Sequence, residues 1–363
     1  MNFAAKLIRW QQLHGRHHLP WQNTRDPYPV WLSEIMLQQT QVATVTPYYL
    51  RFLQRFPDIS SLALAPLDQV LALWSGLGYY ARGRNLHQAA QLIVSQHGGE
   101  FPHDLAAIQQ LPGIGRSTAA AIAVFAYGEQ CAILDGNVKR VFARCFGIDG
   151  YPGEKKTETL LWHKAEQLLP ERKTQGQIET YTQALMDLGA TVCTRSKPMC
   201  AACPLQADCV AFREQRVDRL PTPKPRKPLP QKETVLLLLL QHGEILLEKR
   251  PPTGIWGGLW CLPEMPLAEN AATYCARQFG LTVQPLPELP PLDHSFTHFK
   301  LRIYPRPLQV VAHTPAARQG GCIWLALDDA LEAAIPTPVR RLLLPIQNKG
   351  RPTIGRLVPV AEP

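Results

Sequence analysis

Long apolar runs are absent from this 363-residue sequence, and their absence limits where the protein can work. The longest candidate, Val235 to Leu240, falls far short of the ~20 apolar residues that a transmembrane helix needs. The opening segment contains Lys6 and Arg9, which interrupt any apolar signal region and leave the pattern of an amphipathic helix. The chain also has no Gln, Ser or Gly tract of the kind found in disordered segments. The sequence therefore predicts a globular protein of the cytoplasm.

Acidic residues are scarcer than basic ones: the sequence has 29 Asp and Glu and 38 Lys and Arg, which gives a formal net charge of +9. This excess favours a polyanionic partner such as nucleic acid, although many basic proteins bind none. A chain of this length with 45% hydrophobic residues can bury more than one core. We therefore expect two domains.

A glycine-rich turn lies within the run LPGIGRSTA. Pro112, Gly113 and Gly115 come just before an apolar run from Thr118 to Tyr127 that is typical of a helix. Such a turn leaves backbone N–H groups bare, and a helix N-terminus adds partial positive charge, so a DNA phosphate fits there. A plain connection between two helices is the alternative, since single Gly-rich turns are common.

Glu34 lies in the middle of an apolar helix that we predict from Val30 to Leu37. Burial without a cation would raise the pKa of this carboxyl group toward the range of a proton donor. The alternative is a solvated glutamate, the usual state of glutamate in helices. Four polar residues follow the helix, namely Gln38, Gln39, Thr40 and Gln41. Their side chains could pair with base edges or simply form a polar helix end.

A second glycine-rich turn, in the run GLGYYARGRNLH, places Tyr79 and Tyr80 before a basic helix. A tyrosine on such a turn could enter a base stack while Arg82 and Arg84 bind phosphates, as an enzyme that extrudes a base requires. Two tyrosines packed into a core are the alternative.

Four of the nine cysteines are clustered in the pattern C-x₆-C-x₂-C-x₅-C: Cys193, Cys200, Cys203 and Cys209. In a chain without a secretory signal this clustering indicates a metal site rather than disulfides. Four thiolates suit either a structural zinc ion or an iron–sulfur cluster. Arg195 and Lys197 lie inside the loop and would place positive charge beside DNA phosphate. The other cysteines have no ligand spacing and are expected to be packing residues: Cys131, Cys145, Cys261, Cys275 and Cys322.

The character of the sequence changes after a segment rich in proline and basic residues. Helical patterns dominate before it, whereas Val217 to Lys232 contains five prolines and five Lys or Arg residues, the composition of an extended, semi-rigid linker. Short apolar or alternating runs follow the linker and predict strands. We therefore expect an all-α first domain and an α+β second domain.

Six stretches together resemble the adenine DNA glycosylases of the MutY type, in the endonuclease III-like helix-hairpin-helix superfamily, over essentially the whole chain. They are WLSEIMLQQTQVATV, GLGYYARGRNLH, LPGIGRSTA, ILDGNVKRV, the four-cysteine loop and PPTGIWGGLW. The resemblance implies a [4Fe-4S] cluster on the four cysteines and a Nudix-like second domain. That domain lacks the R-E-x-x-E-E series needed for Mg²⁺ after Gly257-Gly258, so we infer recognition and not hydrolysis. The implied ranges are a glycosylase domain at 1–217 with the cluster loop 193–209, a linker at 218–232, a Nudix-like domain at 233–350 and a tail at 351–363.

The implied activity is monofunctional hydrolysis of the N-glycosidic bond of adenine mispaired with 8-oxoguanine or guanine in double-stranded DNA. This reaction leaves an abasic site. The resemblance also implies a monomeric protein that associates with the nucleoid through DNA. Glu34 would protonate the purine while Asp135, as a carboxylate, stabilises the oxocarbenium-like sugar. The resemblance assigns three further groups: DNA-binding Gln38, Gln39, Thr40, Tyr79, Gly113, Gly115 and Ser117; adenine-pocket Trp21, Leu37 and Gln183; and 8-oxoguanine-recognising Phe296, Thr297 and His298.

Two other functions compete with this interpretation. An endonuclease III-like lyase for oxidised pyrimidines shares the hairpin, the aspartate and the cysteines, but it carries a lysine where this chain has Ser117, which cannot form an imine. A non-catalytic DNA-binding protein could keep the hairpin and the cluster, but the presence of both Glu34 and Asp135 argues against it. One departure from the family pattern is Thr297, where relatives usually have serine. Its methyl group stiffens χ1 beside the base, so we expect recognition to persist with altered fine discrimination. The alternative is that the loop tolerates either residue.

Overall fold

The computed structural model describes residues 2–171, 176–224, 228–313 and 321–350, without the side chains of residues 348–350. The predicted tail at 351–363 lies outside the described residues, as do residues 225–227 of the predicted linker. Two compact units are present, Met1–Ala65 with Arg84–Arg226 and Pro66–Gly83 with Lys227–Pro363. The predicted domain ranges remain a prediction. The structure differs from them by grouping Pro66–Gly83 with the residues that follow the linker.

Regular structure before the linker is helical throughout the described residues, which confirms the predicted all-α fold. The α-helices are α1 (Phe3–His14), α2 (Pro27–Leu37), α3 (Val42–Arg55), α4 (Ile59–Leu64), α5 (Leu67–Trp74), α6 (Ala81–His97), α7 (Leu105–Gln110), α8 (Arg116–Tyr127), α9 (Gly136–Cys145), α10 (Lys155–Gln167), α11 (Gln177–Asp187) and α12 (Val210–Arg213). Shorter turns surround the cysteines: a π-helical turn at Leu188–Val192 and 3₁₀ turns at Cys200–Ala202 and Gln206–Asp208.

Local signals set the ends of the helices that carry the predicted site. Helix α2 begins at Asp26, whose side chain accepts a hydrogen bond from Tyr28 N–H, and Pro27 supplies a preset φ in its first turn. Helix α8 ends at Gly128, which has a left-handed φ of 71°. The first unit buries a shared core from α1, α8, α9, α10 and α11, and this core holds the helices in place: Leu7, Val124, Phe142, Leu161 and Tyr181.

The second unit is built on a mixed sheet with helices, which confirms the predicted α+β fold. Its strands are β1 (Gln231–Gln241), β2 (Glu244–Lys249), β3 (Trp260–Cys261), β4 (Glu264–Met265), β5 (Leu281–Pro285), β6 (Leu292–Ser295), β7 (Lys300–His313) and β8 (Cys322–Ala326). Its helices, besides α5, are α13 (Ala271–Phe279), α14 (Leu327–Glu332) and α15 (Thr337–Gly350).

Strand β1 lies at the centre of this sheet. It pairs in parallel with β7, in the register Gln231↔Lys300 to Leu240↔Gln309, whereas its pairings with β2 and β4 are antiparallel. The main path of the sheet runs β3-β2-β1-β7-β5, with β8 on β2, β4 on β1 and β6 on β7. Thr234 through Leu239 are all buried, because both faces of this strand are covered. Among the described helices, none is long and apolar enough to cross a membrane.

Candidate active site

A cavity of about 340 Å³ opens beside Glu34 in the first unit. Two of the three predicted adenine-pocket residues, Trp21 and Gln183, line it together with Glu34 and Arg16. Leu37 ends α2 half-buried and is not among the described residues that line this cavity. The volume lies at the lower end of the roughly 300–1,000 Å³ typical of small-molecule pockets. A single nucleobase is therefore a suitable occupant.

Glu34 has an environment that favours its neutral form. Burial raises the pKa of its carboxyl group to about 8, and the negative charge of Asp135 acts in the same direction. Of the two states that the sequence left open for Glu34, a buried proton donor and a solvated glutamate, the pKa shift supports the first. A carboxyl group with such a pKa is largely protonated at neutral pH and can donate a proton.

Asp135 caps the N-terminus of α9. Its carboxylate accepts hydrogen bonds from Val138 N–H at 2.8 Å and from Asn137 Nδ2 at 3.2 Å. Burial raises the pKa of Asp135, while these hydrogen bonds and the charge of Arg140 act in the opposite direction. Glu34 has no comparable set of donors among the described contacts. Burial thus raises the pKa of both carboxyl groups, but only Asp135 has hydrogen-bond donors that favour its carboxylate form.

Ser117 contacts the segment that carries Asp135. Its Oγ accepts a hydrogen bond from Leu134 N–H at 2.9 Å. Because Leu134 directly precedes Asp135, this bond ties the first turn of α8 to the start of α9. The hydroxyl group predicted to bind DNA thus has a contact inside the protein.

The backbone of the predicted hairpin requires glycine at position 113. The φ of Gly113 is 80°, and a Cβ atom placed there would lie 2.9 Å from Cβ of Asn85. Gly115 is the N-cap of α8 with an extended backbone, and a Cβ atom there would meet nothing within 4 Å. The turn and the following helix are present as predicted, but only Gly113 is required to be glycine by the fold.

The polar residues after α2 lie against this hairpin. Gln38 Nε2 is 3.3 Å from the carbonyl oxygen of Gly113 and 3.4 Å from Oγ1 of Thr118. Gln39 has a left-handed φ of 57°, and Thr40 Oγ1 donates to the carbonyl oxygen of Gln38 at 3.3 Å. The structure therefore brings the end of α2 and the hairpin together on one side of the first unit.

Tyr79 belongs to the second unit and lies on a supported turn. It has a left-handed φ of 49°, and 46% of it is exposed. The guanidinium of Arg82 lies 5.5 Å from the Tyr79 ring centre and donates to the carbonyl oxygens of Gly78 and Leu77 at 3.1 and 3.4 Å. Arg82 is buried, so the expectation that it binds phosphate is wrong: it holds the turn. Tyr80 is buried beside it.

Residues from the end of the chain hold the other side of this turn. Ser75 Oγ donates to the carbonyl oxygen of Ile335 at 2.7 Å, and Arg340 NH2 lies 3.3 Å from the same hydroxyl. Asp68 of α5 pairs with Lys249 and accepts a hydrogen bond from Trp260 Nε1 at 3.1 Å. These contacts explain why Pro66–Gly83 groups with the second unit.

The predicted 8-oxoguanine loop is a tight turn between β6 and β7. Phe296 N–H donates to the carbonyl oxygen of Phe299 at 2.9 Å, and their rings stack at 4.4 Å between centres. Thr297 and His298 are exposed at the tip, where Thr297 Oγ1 is 3.4 Å from His298 Nδ1. Trp256 lies 5.8 Å from Phe296 and completes the aromatic support. Phe296 therefore anchors the loop while the two polar residues face outward.

The four clustered cysteines lie in one loop that α9 anchors. Arg144, which is buried, donates to Thr194 O at 2.6 Å and lies 3.5 Å from Cys193 Sγ. Arg140 donates to the carbonyl oxygen of Cys193 at 2.7 Å. Burial raises the pKa of the Cys203 thiol to about 11, and the charges of the other three thiols add to this rise. The four sulfur atoms are therefore close enough to influence one another.

Four thiolates are a donor set that suits either a [4Fe-4S] cluster or a single zinc ion. Within the described residues, no group of three or more His, Cys, Asp or Glu side chains is arranged to hold one metal ion. None of the nine cysteines forms a disulfide, and the five outside the cluster loop are buried or half-buried, as expected of packing residues.

A buried ion pair that local sequence patterns did not predict lies at the wall of the cavity. Asp187, at the end of α11, has 0% exposure and accepts three hydrogen bonds or ionic contacts from Arg16, through N at 2.9 Å, Nε at 2.8 Å and NH2 at 2.7 Å. Gln183 Nε2 also donates to Asp187, at 2.9 Å. Arg16 and Asp187 are 171 positions apart, so no local pattern could have linked them.

Comparison with known proteins identifies two families along the chain. Residues 32–167 match the HhH-GPD superfamily of base excision DNA repair proteins, and residues 234–344 match the NUDIX domain. A thermostable thymine-DNA glycosylase of known structure is 29% identical, covers 58% of this chain and 95% of its own, and superposes with a TM-score of 0.53. The fold and the site thus define a helix-hairpin-helix DNA glycosylase joined to a Nudix-like domain.

Full-length relatives make the assignment more specific. The adenine DNA glycosylase of Buchnera aphidicola subsp. Baizongia pistaciae is 37% identical over 95% of this chain and 97% of its own length. The human adenine DNA glycosylase is 32% identical over 96% of this chain and 74% of its own length. The chain belongs to the adenine DNA glycosylase family and is an enzyme of base-excision repair.

Proposed function

We propose that this enzyme hydrolyses the N-glycosidic bond of adenine mispaired with 8-oxoguanine or guanine in duplex DNA, leaving an abasic site. The observation that carries the proposal is Glu34, whose pKa is raised to about 8 beside a cavity of nucleobase size and near the second carboxyl group, Asp135. Adenine is the base named for the family relatives.

The two carboxyl groups divide the chemistry between them. Protonated Glu34 donates its proton to a purine ring nitrogen as the bond to the sugar breaks, so the bond electrons leave with a neutral base. Asp135 stabilises the positive charge that develops on the sugar, because its hydrogen bonds from Val138 and Asn137 favour the carboxylate. Water then adds to the sugar carbon, and its proton passes to the Glu34 carboxylate. Ser117 has no amine, so no imine forms and the strand is not cut.

The remaining predicted residues are proposed to hold the DNA. Gly113, Gly115 and the N-terminus of α8 offer backbone N–H groups to a phosphate. The polar residues that end α2, together with exposed Tyr79, are proposed to enter the duplex: Gln38, Gln39 and Thr40. Leu37 is proposed to border the extruded base together with Trp21 and Gln183.

The second unit is proposed to recognise the opposite base rather than to hydrolyse a nucleotide. Thr297 and His298 are exposed at the loop tip, where they can reach a base edge. Two carboxylates that follow the Gly257-Gly258 turn are paired with basic groups, Glu264 with Arg250 and Glu269 with Arg277. This pairing leaves little acidic charge for Mg²⁺ at that position.

The four-cysteine loop is proposed to hold a [4Fe-4S] cluster through Cys193, Cys200, Cys203 and Cys209. When bound, the cluster supplies a rigid cross-link of the loop. Arg195 and Lys197 are exposed on that loop, so a fixed loop would present both to DNA phosphate.

Excision assays on matched duplexes test the proposal. Purified enzyme is incubated with duplexes that differ only in the pair: A opposite 8-oxoguanine, A opposite G, A opposite T, and an oxidised pyrimidine opposite G. We expect abasic sites from the first two only. Cleavage at the oxidised pyrimidine without release of adenine would establish the lyase function instead.

The recognition loop has its own test. The double change Thr297→Ala with His298→Ala should erode the preference for 8-oxoguanine over G, while excision opposite G survives because base release belongs to Glu34 and Asp135. Thr297→Ser is the matched control: it keeps the hydroxyl group and should retain a preference for 8-oxoguanine that differs only in degree. An unchanged preference in the double variant would show that this loop is not the sensor.

A further inference from the structure

Helix α5 is attached to the rest of the second unit at both of its ends. At its start, Asp68 pairs with Lys249 of β2 and accepts a hydrogen bond from Trp260 Nε1 of β3 at 3.1 Å. At its end, Ser75 is buried, and its Oγ donates to the carbonyl oxygen of Ile335 at 2.7 Å. The helix therefore cannot tilt or shift without breaking one of these contacts.

The two attachment points belong to one connected frame. Trp260 N–H donates to the carbonyl oxygen of Ala334 at 2.9 Å, and Ala334 directly precedes Ile335. Lys249 and Trp260 are register partners on β2 and β3, and the Lys249 ammonium lies 4.6 Å from the Trp260 ring centre. The residues that hold the start of α5 are therefore bonded to the segment that holds its end.

Tyr79 follows α5 on a turn that the helix itself supports. Trp74, the last residue of α5, donates from Nε1 to the carbonyl oxygen of Gly78 at 3.2 Å. Gly78 also accepts a hydrogen bond from Arg82, whose guanidinium lies 5.5 Å from the ring centres of both Trp74 and Tyr79. The position of Tyr79 is therefore fixed relative to α5, and through α5 relative to the second unit.

The proposed recognition loop is attached to the same frame. Strands β2 and β3 share one sheet with β6 and β7, which carry the loop. The segment between β2 and β3 contains Trp256, whose ring centre lies 5.8 Å from that of Phe296 in the loop. The strands that receive Asp68 thus also support the loop that presents Thr297 and His298.

We propose that Asp68 and Ser75 are positioning residues that make α5 a rigid link between the recognition loop and Tyr79, so that recognition of the opposite base promotes entry of Tyr79 into the duplex. This inference rests on the proposed function, in which Tyr79 enters the duplex while Thr297 and His298 read the opposite base.

The coupling follows because both contacts with DNA are made from one body. The contact that forms first holds the second group near its target at a high effective concentration, and this advantage is lost when the connection is loosened. Residues 32–167, which include α5, match the HhH-GPD superfamily, yet Pro66–Gly83 groups with the second unit. A segment of glycosylase sequence is thus part of the unit that is proposed to read the opposite base.

The test loosens both ends of α5 and leaves Tyr79 and the recognition loop unchanged. In an Asp68→Ala, Ser75→Ala variant, single-turnover excision at limiting enzyme measures the preference for adenine opposite 8-oxoguanine over adenine opposite G. The same two changes are also made in a Tyr79→Ala enzyme. Glu288→Gln is the matched control, because Glu288 is an exposed partner of Arg306 in the same unit.

We expect the preference to fall at least about fivefold in the Asp68→Ala, Ser75→Ala variant, because couplings between two sites are typically of that size or larger. In the Tyr79→Ala enzyme the same changes should cause no further fall, since the group that the link positions is already absent. General loss of structure would lower excision in both backgrounds. The control should keep the wild-type preference.

Asp68→Ala alone covers the case in which the combined variant does not fold, because the Asp68 side chain is 47% exposed whereas Ser75 is buried. We expect the same fall in a smaller degree. A folded variant with an unchanged preference, or an equal fall with and without the Tyr79 ring, would overturn the inference. Neither result would affect the proposed function, which fails only if the wild-type enzyme excises no adenine opposite 8-oxoguanine.

Discussion

Replacing Glu34 by glutamine should stabilise the protein, and the gain should grow as the pH rises. The folded protein holds the Glu34 proton up to a pKa of about 8, whereas the ordinary value is 4.5, so the folded state binds more protons than the unfolded state between these values. Stability of the wild type must then fall as pH rises through that interval. Glutamine resembles the protonated acid in shape and cannot ionise, so the variant is spared this loss.

The magnitude follows from the two pKa values. At about 1.4 kcal/mol per pKa unit, the difference between about 8 and 4.5 corresponds to about 5 kcal/mol once the pH exceeds both. The same relation gives about 1 kcal/mol at pH 5 and about 3 kcal/mol at pH 7. These are upper values, because Glu34 is only half-buried and lines a cavity that is open to solvent.

Urea unfolding of both proteins at pH 5, 7 and 9 measures this trend. Glu166→Gln is the matched control, because Glu166 is an exposed partner of Arg116, and its effect should be small at every pH. A stability difference between Glu34→Gln and wild type that stays constant from pH 5 to 9 would refute the burial argument.

The kcat/KM of the wild type should fall above pH 8, because Glu34 loses the proton that it must donate. Glu34→Gln should lose excision yet bind a mispair within about tenfold of wild type, because the proton is needed only in the transition state.

Three shorter predictions concern other parts of the molecule. Borohydride should trap no substantial covalent DNA adduct, because Ser117 offers no amine; efficient trapping would restore the lyase interpretation. The purified protein should be brown with about four irons per chain, and a Cys200→Ser variant should lose most of that iron; a colourless protein with one zinc would contradict the cluster. Affinity for duplex DNA should drop on the order of a thousandfold between low and moderate salt, and a flat response would mean that the positive charge does not contact phosphate.

Local sequence patterns predicted much of this architecture because they act over a few residues. Apolar spacing and the Asp26-Pro27 start specify α2, and the position of Glu34 within that helix follows directly. The glycine turn before α8 and the aspartate cap of α9 are likewise local. The four cysteines lie within 17 consecutive residues, so their loop was also visible.

The pKa of Glu34 and the orientation of the Gln183 amide could not be predicted from the sequence, because both depend on residues that are distant along the chain. The pKa of Glu34 depends first on burial by tertiary packing and then on Asp135, about a hundred positions away. The orientation of the Gln183 amide depends on Asp187, which is in turn held by Arg16. A helix pattern shows that Gln183 and Asp187 share one face of α11, but it cannot show that Asp187 is buried against a cation. The orientation of the Gln183 amide is thus set by tertiary contacts, and local sequence patterns do not determine it.

The Tyr79 turn shows the same limit at the level of domains. Its glycines and aromatic residues are a local signal, and both the turn and its exposed tyrosine are present. Its supports come from Ile335 and Arg340, which meet Ser75 across about 260 positions, and these contacts assign the turn to the second unit. That unit also carries the exposed pair Thr297 and His298. The residue proposed to enter the duplex and the loop proposed to read the opposite base are therefore parts of one compact body, so a change in the docking of α15 would disturb the Tyr79 turn without touching the carboxyl groups that release the base.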